Sequence, residues 1–367
     1  MAENRFIAKS KGNILQDSVN IFLSNGQVFE GWESVRIKKD INSISNQFSL
    51  NIDDRFEDGN KNWPLKPGEK VEIFIGKEKV ITGYIETLRA GFSPGSRNFD
   101  VGGRSLPGDL VDCSVDGAQE FANIELKALA EQLVAPFGLK VFLSVTPKII
   151  DKFAVKPSET VFEALNRAAR LQGFFWVSTR AGNIRLTRTA KARAVTALVE
   201  SENIISGSIS INTSHRYSKI KVIGQSAGSD TFPGSNASEA EGSAKDGGIT
   251  RSRPLTVIAE GSVTKEQAQD RAEWEAASRV AKGSDINISV QGWRQVDGSL
   301  WGINQVVAID SKFLGIKRDM LISSVEHTQD QSGTFTNMSL VRKDSFDPKP
   351  EFKKNDDITS QIGAGPK

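Results

Sequence analysis

A serine, an aspartate and a histidine occur in the chain order that α/β-hydrolases use. Gly224-Gln225-Ser226-Ala227-Gly228 has the G-x-S-x-G pattern of a nucleophile elbow, and Asp310 and His327 follow it. An elbow needs a strand before the serine and a helix directly after it, so that the hydroxyl lies at the helix N-terminus. Residues 227–250 hold five glycines and a proline, which argue against that helix. We therefore expect no nucleophile at Ser226 and predict no catalytic residue.

The two histidines and the single cysteine limit the other chemistry available. A triad or a histidine metal site could use only His215 and His327, and we expect both to be ordinary polar residues, with His327 at a strand end. Cys113 alone can form neither an internal disulfide nor a CxxC metal site. No local context singles out a pair of carboxylates for glycoside hydrolysis.

One acidic segment is similar to a calcium-binding loop in composition. Asp53, Asp54, Glu57 and Asp58 lie close together, but Phe56 occupies the third ligand position counted from Asp54. A solvated turn explains this segment better, so we predict no metal and no cofactor.

The charge pattern favours neither nucleic acid nor a membrane as a partner. There are 47 Lys and Arg against 45 Asp and Glu, a net charge of +2, so the chain has no overall basic field. Gly76-Lys77 lacks the upstream glycine of a phosphate loop. Basic residues without aromatic stacking partners are interleaved as on solvated faces: Lys9, Lys11, Arg36, Lys38 and Lys39.

The amino terminus has no apolar signal segment, and no run reaches the roughly 18 apolar residues of a membrane span. We expect a protein made in a reducing cytoplasm, with no membrane partner and no specific nucleic-acid binding.

Alternating apolar residues and turn pairs predict strands over residues 19–112. Asn25-Gly26 is expected to turn a hairpin between Val19–Leu23 and Val28–Trp32. We predict a small antiparallel β-barrel domain over residues 1–113.

Residues 114–190 show helical spacing instead. The pattern predicts a helix over Ile124–Val134 followed by the strand Leu139–Leu143, and then a second helix over Val161–Leu171 with Ser158 as its N-cap. These duplicated helix–strand units predict one α+β domain.

Strands resume after residue 190 and predict a second β-barrel domain over residues 191–346. Lys219–Gly224 is expected to be one of its strands, and the Gly/Ser-rich residues 225–254 form a long loop. Thr264 begins a helix as part of a capping box. Residues 347–367 have few apolar side chains and are expected to be a flexible tail.

Two distant segments share one plan. Each has an alternating apolar strand, a tryptophan, two further strands and a closing strand that ends in arginine: Phe48–Arg104 and Ile286–Arg342. Each spans 56 positions, since 104 − 48 and 342 − 286 are both 56. A duplicated β domain lets a trimer present six similar modules, and a closed ring of them avoids exposed sheet edges.

Several runs carry a resemblance that covers nearly the whole chain up to residue 346. The most specific runs lie between Ala268 and Phe346: R-A-E-W-E-A-A-S-R, V-Q-G-W-R, D-G-S-L-W-G-I-N-Q-V-V-A-I-D and F-L-G-I-K-R-D-M-L-I-S-S-V-E-H. Two weaker runs lie upstream: K-P-G-E-K-V-E-I-F-I-G and S-E-T-V-F-E-A-L-N-R-A-A-R-L-Q-G-F-F-W. In these runs the chain resembles the Mu-like phage tail protein P family, the baseplate hub of contractile tails.

The resemblance implies an α+β, mainly β fold with two tail-tube-like antiparallel β-barrel domains flanking a small α+β domain. It implies a structural protein without enzymatic activity that is expressed late and belongs to a phage or prophage virion assembled in the host cytoplasm. The protein would be a homotrimeric hub between the hexameric tail tube and the trimeric central spike, with baseplate wedge proteins around it. Two alternatives remain: the hub of a related contractile injection or secretion system, and a hub that also degrades cell wall.

Overall fold

The computed structural model describes residues 17–53, 65–94, 96–117, 120–170, 172–189, 192–225, 239–262 and 265–342. The fold is α+β and mainly β, as predicted. Backbone contacts divide the chain into two units. The larger comprises Met1–Ile209 with Asp285–Lys343, and the smaller comprises Ser210–Ser284 with Asp344–Lys367.

Residues 19–105 form a first β module that begins with the predicted hairpin. Gly26 adopts φ +84°, which favours glycine, and its N–H donates to the carbonyl of Leu23. The strands are β1 (Val19–Leu23), β2 (Val28–Phe29), β3 (Ser34–Asp40), β4 (Ser43–Asp53), β5 (Lys70–Ile75), β6 (Glu78–Ser93) and β7 (Ser96–Ser105).

The middle segment contains one short helix, two longer helices and two small sheets. Its elements are α1 (Asp109–Asp112), β8 (Glu120–Glu125), α2 (Leu126–Val134), β9 (Val141–Leu143), β10 (Ile149–Ala154), α3 (Val161–Arg170), β11 (Phe175–Ser178) and β12 (Ile184–Thr187). β8 pairs with β10, and β12 lies between β11 and β9. Buried Trp176 donates its indole N–H to the carbonyl of Leu165, which fixes β11 on α3.

The N-cap predicted for α3 is wrong. Ser158 has φ +65° and lies in the preceding turn. Thr160 caps the helix, because its hydroxyl accepts the N–H of Glu163 and the Glu163 carboxylate accepts the N–H of Thr160.

The remaining elements are β13 (Leu198–Val199), β14 (Ile204–Ile211), β15 (Lys219–Gln225), β16 (Glu239–Lys245), β17 (Pro254–Ser262), α4 (Lys265–Lys282), β18 (Ser284–Gln291), β19 (Val306–Ser311), β20 (Ile316–Asp330) and β21 (Gly333–Val341). We call β13, β14 and β18–β21 the second β module.

The repeat seen in the sequence is a repeat of strand order. β4, β7, β6 and β5 are neighbours in that order in the first module, and β18, β21, β20 and β19 repeat it in the second. The central hairpin carries a bulge in both, between Ile85 and Thr87 and between Ile322 and Ser324. Two independent sheets would rarely share both features, so the structure confirms the duplication.

The two modules form one continuous sheet. β3 of the first pairs antiparallel with β20 of the second, with Ile37 opposite His327. The resulting path runs β14-β18-β21-β20-β3-β4-β7-β6-β5-β1-β2, and β19 and β13 branch from β20.

The smaller unit has a sheet of its own. β15 pairs with β16 and β17, so the expectation that Lys219–Gly224 belongs to the second barrel is wrong. β16 lies in the segment expected to be loop. Helix α4 packs Ala268 and Ala272 against Val222. Ser226 and Thr264, with the predicted elbow and cap, lie outside the described residues.

Candidate functional site

One face of the continuous sheet is polar. Residues directly opposite each other in neighbouring strands point to the same side of a sheet. One such row crosses seven strands from β18 to β6: Ser289, Asn337, Glu326, Lys38, Gln47, Arg104 and Tyr84. All seven are exposed or half-buried. The two modules therefore present one unbroken polar surface.

The adjacent row faces the two hydrophobic cores. Its members are Val290, Thr336, His327, Ile37, Phe48, Gly103 and Ile85. Gly103 is required here, because a Cβ at this position would lie 2.5 Å from the Phe48 ring and closer still to the carbonyl of Tyr84. Burial of this row fixes the register, and the register in turn fixes which side chains reach the polar face.

The charges on the polar face are largely paired. Arg104 donates to Glu86 at 2.8 Å and to Asp112, and the Asp112 hydrogen bond is the largest cause that raises the pKa of Arg104. Arg36 lies 3.4 Å from Glu326. The surface therefore offers mainly hydroxyl, amide and paired ionic groups.

A shallow groove of about 370 Å³ lies on this face where the two modules meet. Hydroxyl and amide side chains line much of it, with Lys38 and Glu326 as its charged residues. The lining includes Ser206, Ser208, Asn287, Ser289, Asn337 and Ser339. Such groups hydrogen-bond water or a polar partner, and they supply no nucleophile–base pair.

A charged cluster lies on the core side of the same junction. Glu78 accepts from Arg294 at 2.6 Å and lies 3.4 Å from Arg180, and Arg294 also donates to Asp17 at 2.8 Å. Lys39 is close enough for its charge to interact with those of Arg180 and Glu78. We call these five residues the junction cluster. They connect the first module, the middle segment and the second module.

Burial changes two pKa values beside this cluster. Desolvation, with the nearby charge of Arg180, lowers the pKa of Lys39 to about 8, and Glu78 opposes that shift. Desolvation, followed by the charges of Lys39 and Arg294, lowers the pKa of His327 to about 3. His327 is neutral at physiological pH, and neither ring nitrogen has a hydrogen-bond partner among the described residues.

His327 is not the strand-end residue that we predicted. It lies within β20, fully buried, with its ring edge-on to Trp293 at 6.1 Å between centroids. Asp310 pairs with Lys317 at 2.7 Å and makes no hydrogen bond to His327. The two triad candidates that the structure describes are therefore not connected.

The other predicted positions are scattered. His215 is exposed in the smaller unit, where its carbonyl accepts from Arg279. Asp53 ends β4, and Asp54, Glu57 and Asp58 lie outside the described residues. Across the described ranges, no group of three or more His, Cys, Asp or Glu side chains could hold a metal ion. No helix in those ranges is long and apolar enough to cross a membrane.

Sequence reasoning missed the junction cluster. Lys39 was placed on a solvated face with Lys38, but it follows Val35 and Ile37 at two-residue spacing and so shares their buried side. That alternation was the signal available. Glu78, Arg180 and Arg294 are far apart in sequence and carried no comparable signal. Lys9 and Lys11 lie outside the described residues.

Protein-family models of phage tails match four segments of the chain. They are the N-terminal domain of Mu phage baseplate assembly protein GpP-like proteins over residues 19–105, the second domain of baseplate hub protein gp44-like proteins over 107–188, the third domain of tail protein NMB1110-like proteins over 216–274, and the fourth domain of Mu phage baseplate assembly protein GpP over 264–349.

Individual relatives agree with these models. Baseplate hub protein gp44 of Escherichia phage Mu is 33% identical over 334 residues, which cover 88% of this chain and 87% of that protein. The 43 kDa tail protein of prophage MuSo2 from Shewanella oneidensis superposes with a TM-score of 0.80 at 28% identity, covering 90% of this chain and all of that one. A tail protein of Neisseria meningitidis MC58 gives a TM-score of 0.76 at 26% identity, covering 90% and 98%. This chain belongs to the Mu-like family of phage baseplate hub proteins.

Proposed function

We propose that three copies of this chain form a ring that joins the hexameric tail tube to the trimeric central spike of a contractile tail. The repeated strand order carries the proposal. Because each chain holds two similar modules in one sheet, three chains supply six modules to a sixfold partner while keeping threefold symmetry for the other partner.

The polar face supports a role as the lining of a passage. The row from Ser289 to Tyr84 has no exposed aliphatic side chain, and its charges are largely paired within the chain. A surface of this kind stays hydrated and offers no apolar patch to which passing material would adhere. The apolar side of the sheet is already occupied by the cores.

The same proposal covers partners, location and domain boundaries. The tail tube, central spike and baseplate wedge proteins would bind the ring in a virion tail baseplate that is assembled in the host cytoplasm. The chain would act through its surfaces without catalysis. We also propose the domain boundaries 1–113 and 114–190, a second β domain within 191–346 that excludes the separate sheet of β15, β16 and β17, and a tail over 347–367; the strand repeat supports the two β domains.

Native mass spectrometry and negative-stain microscopy of the purified full chain test the proposal. We expect the mass of three chains and ring-shaped particles. A compact monomer at all concentrations would overturn it. Hydrolysis of a generic ester by the wild type but not by Ser226→Ala would show that the chain also has an enzymatic activity.

A further inference from the structure

The smaller unit has one strongly basic end. Residues 213–219 lead into β15, and residues 245–253 run from the end of β16 toward β17. Together they contain five lysines and arginines and one acid, Asp246, which is a net charge of +4 in a chain whose total is +2. Arg279 in the last turns of α4 adds a further positive charge. We call these six cations the basic end: Arg216, Lys219, Lys245, Arg251, Arg253 and Arg279.

Two of these cations have acidic partners within the unit. Arg216 donates two hydrogen bonds of 2.8 Å to the carboxylate of Asp246. Those hydrogen bonds are the largest cause that lowers the pKa of Asp246, so this carboxylate stays ionised and bound to Arg216. Arg279 lies 3.2 Å from Glu275 on the same helix. These pairs fix the segments in place and leave no spare negative charge for the other cations.

Two lysines at this end face each other without an acid between them. Lys219 and Lys245 lie directly opposite on β15 and β16, and both are exposed. Neither has an ion pair among the residues that the structure describes. Like charges directly opposite in a sheet are destabilising. Two residues further along β15, Lys221 does have an acid, since it lies 2.7 Å from Glu241. The sheet therefore neutralises one lysine and leaves its neighbours uncompensated.

Arg251 adds a third uncompensated charge to the same end. It lies two residues before Arg253, whose backbone N–H donates to the hydroxyl of Ser218 at 2.8 Å. Ser218 directly precedes Lys219 in the chain. Arg251 is exposed, and within the described ranges it too has no ion pair. The basic end thus presents three exposed cations whose acidic partners must come from elsewhere.

Nucleic acid fits this surface poorly. Single strands bind through bases that stack on aromatic rings, and Tyr217 is the one aromatic residue of the two segments. The guanidinium groups of Arg253 and Arg279 already lie 5.4 and 5.3 Å from the centre of its ring. Proteins that hold duplex DNA by its backbone make about 6–10 phosphate contacts, more than three free cations can supply.

A membrane surface also fits poorly. Binding at a lipid surface grows with the apolar area that inserts beside the basic side chains. Tyr217 and Ile249 are the large apolar residues of the two segments, and both are half-buried. A few cations on well-fixed segments, with no exposed apolar neighbour in those segments, suit a ligand that offers a few carboxylates.

We propose that Lys219, Lys245 and Arg251 bind an acidic segment of another protein of the tail, whose carboxylates supply the missing negative charges. The chain belongs to a family of baseplate proteins, and complementary charges orient and select protein partners. The inference does not depend on the proposed ring, because β15, β16, β17 and α4 belong to neither β module.

Carbodiimide coupling tests the site, because it joins a lysine amine to a carboxylate that is in contact with it. The purified full chain is mixed with an oligoglutamate peptide, treated with a water-soluble carbodiimide and digested for mass spectrometry. We expect the peptide on Lys219 and Lys245, and not on Lys140 or Lys152, which are exposed lysines of the middle segment. Equal labelling of all four lysines would overturn the proposal. Coupling of Lys219 or Lys245 to acids of the chain itself would overturn it as well.

Removal of the two charges gives a second readout. Lys219→Gln/Lys245→Gln should weaken oligoglutamate binding about tenfold by fluorescence anisotropy at low salt, and the difference should vanish at high salt because exposed charges are screened. Lys140→Gln/Lys152→Gln removes the same charge elsewhere and should bind as wild type. The first variant should also unfold at no lower temperature than wild type, since it removes a repulsion.

Three outcomes of the binding experiment would contradict the proposal. One is a wild-type chain that does not bind the peptide at low salt. Another is equal binding by the two double variants. The third is tighter binding of duplex DNA, or of vesicles that contain phosphatidylglycerol, than of oligoglutamate, which would assign the basic end to a phosphate ligand.

Discussion

Glu78 holds together side chains from three parts of the larger unit. Its carboxylate accepts from Arg294 of the second module and lies beside Arg180 of the middle segment, on the core side where Lys39 is desolvated. Removing one member of a partly buried ion pair leaves the other charge uncompensated, which costs more than the pair itself contributes.

Glu78→Gln should therefore lower the free energy of unfolding by about 1–2 kcal/mol, a figure reduced because the Glu78 side chain is about one-third exposed. Chemical denaturation measures the change. Glu72→Gln is the matched control, because its exposed pair with Lys79 on the neighbouring strand should contribute about 0–1 kcal/mol. Equal changes in the free energy of unfolding for the two substitutions would show that the junction cluster stabilises the fold no more than an exposed ion pair does.

His327 makes the folding stability depend on pH. The pKa of its ring is about 3 in the folded chain and about 6.5 in an unfolded one, so the unfolded state binds more protons between those values. Stability is therefore greatest above pH 6.5 and falls as the pH drops toward 3. At pH 4.5 the loss from this group should be about 2–3 kcal/mol relative to pH 7.

His327→Leu should abolish that loss. We expect the difference in unfolding free energy between pH 7 and pH 4.5 to shrink by about 2–3 kcal/mol in this variant. His215→Gln, at an exposed position, should keep the wild-type difference. The same acid sensitivity in His327→Leu as in wild type would assign the effect to other groups.

At the scale of elements, the start of α3 shows how local signals compete. Ser158 and Thr160 are both ordinary N-cap residues, and the sequence pattern favoured the first. The φ of +65° at Ser158 instead places it in a turn, and the Thr160–Glu163 capping box begins the helix.

Thr160→Ala should cost about 1 kcal/mol of stability, because it leaves a helix N–H without its acceptor. Ser158→Ala should change stability much less, since the exposed Ser158 side chain does not cap the helix. Thermal unfolding of the two variants side by side measures the difference. A larger loss for Ser158→Ala would restore the cap predicted from the sequence.

At the scale of the whole molecule, the two units have cores of different size. Among the described residues, the hydrophobic cluster of the smaller unit consists of Val222 and three alanines, whereas the core of the first β module contains many large aliphatic side chains and also packs Trp293. Burial of less apolar area stabilises a unit less.

Hydrogen exchange should therefore be faster for the amides of β15 and α4 than for those of β20 and β21, under conditions where exchange follows local unfolding. Mass spectrometry of peptides from the full chain measures both sets in one sample. Equal protection of the two sets would mean that the units open together.

By itself the sequence determined the local elements, the duplication and the family. Apolar alternation, Asn25-Gly26 and the recurrence of Phe48–Arg104 as Ile286–Arg342 depend on spacing along the chain, which can be read directly. The tertiary structure decided the features that depend on pairing between strands far apart in sequence. The β3–β20 pair buries His327 in the interior and places half-buried Lys39 on the core side of the sheet, whereas the residues near them in sequence suggest exposure to solvent. The tertiary structure also decided that β15 lies in a separate sheet. The pairing partners of a strand depend on which whole faces become buried, and the local periodicity of the sequence does not encode that.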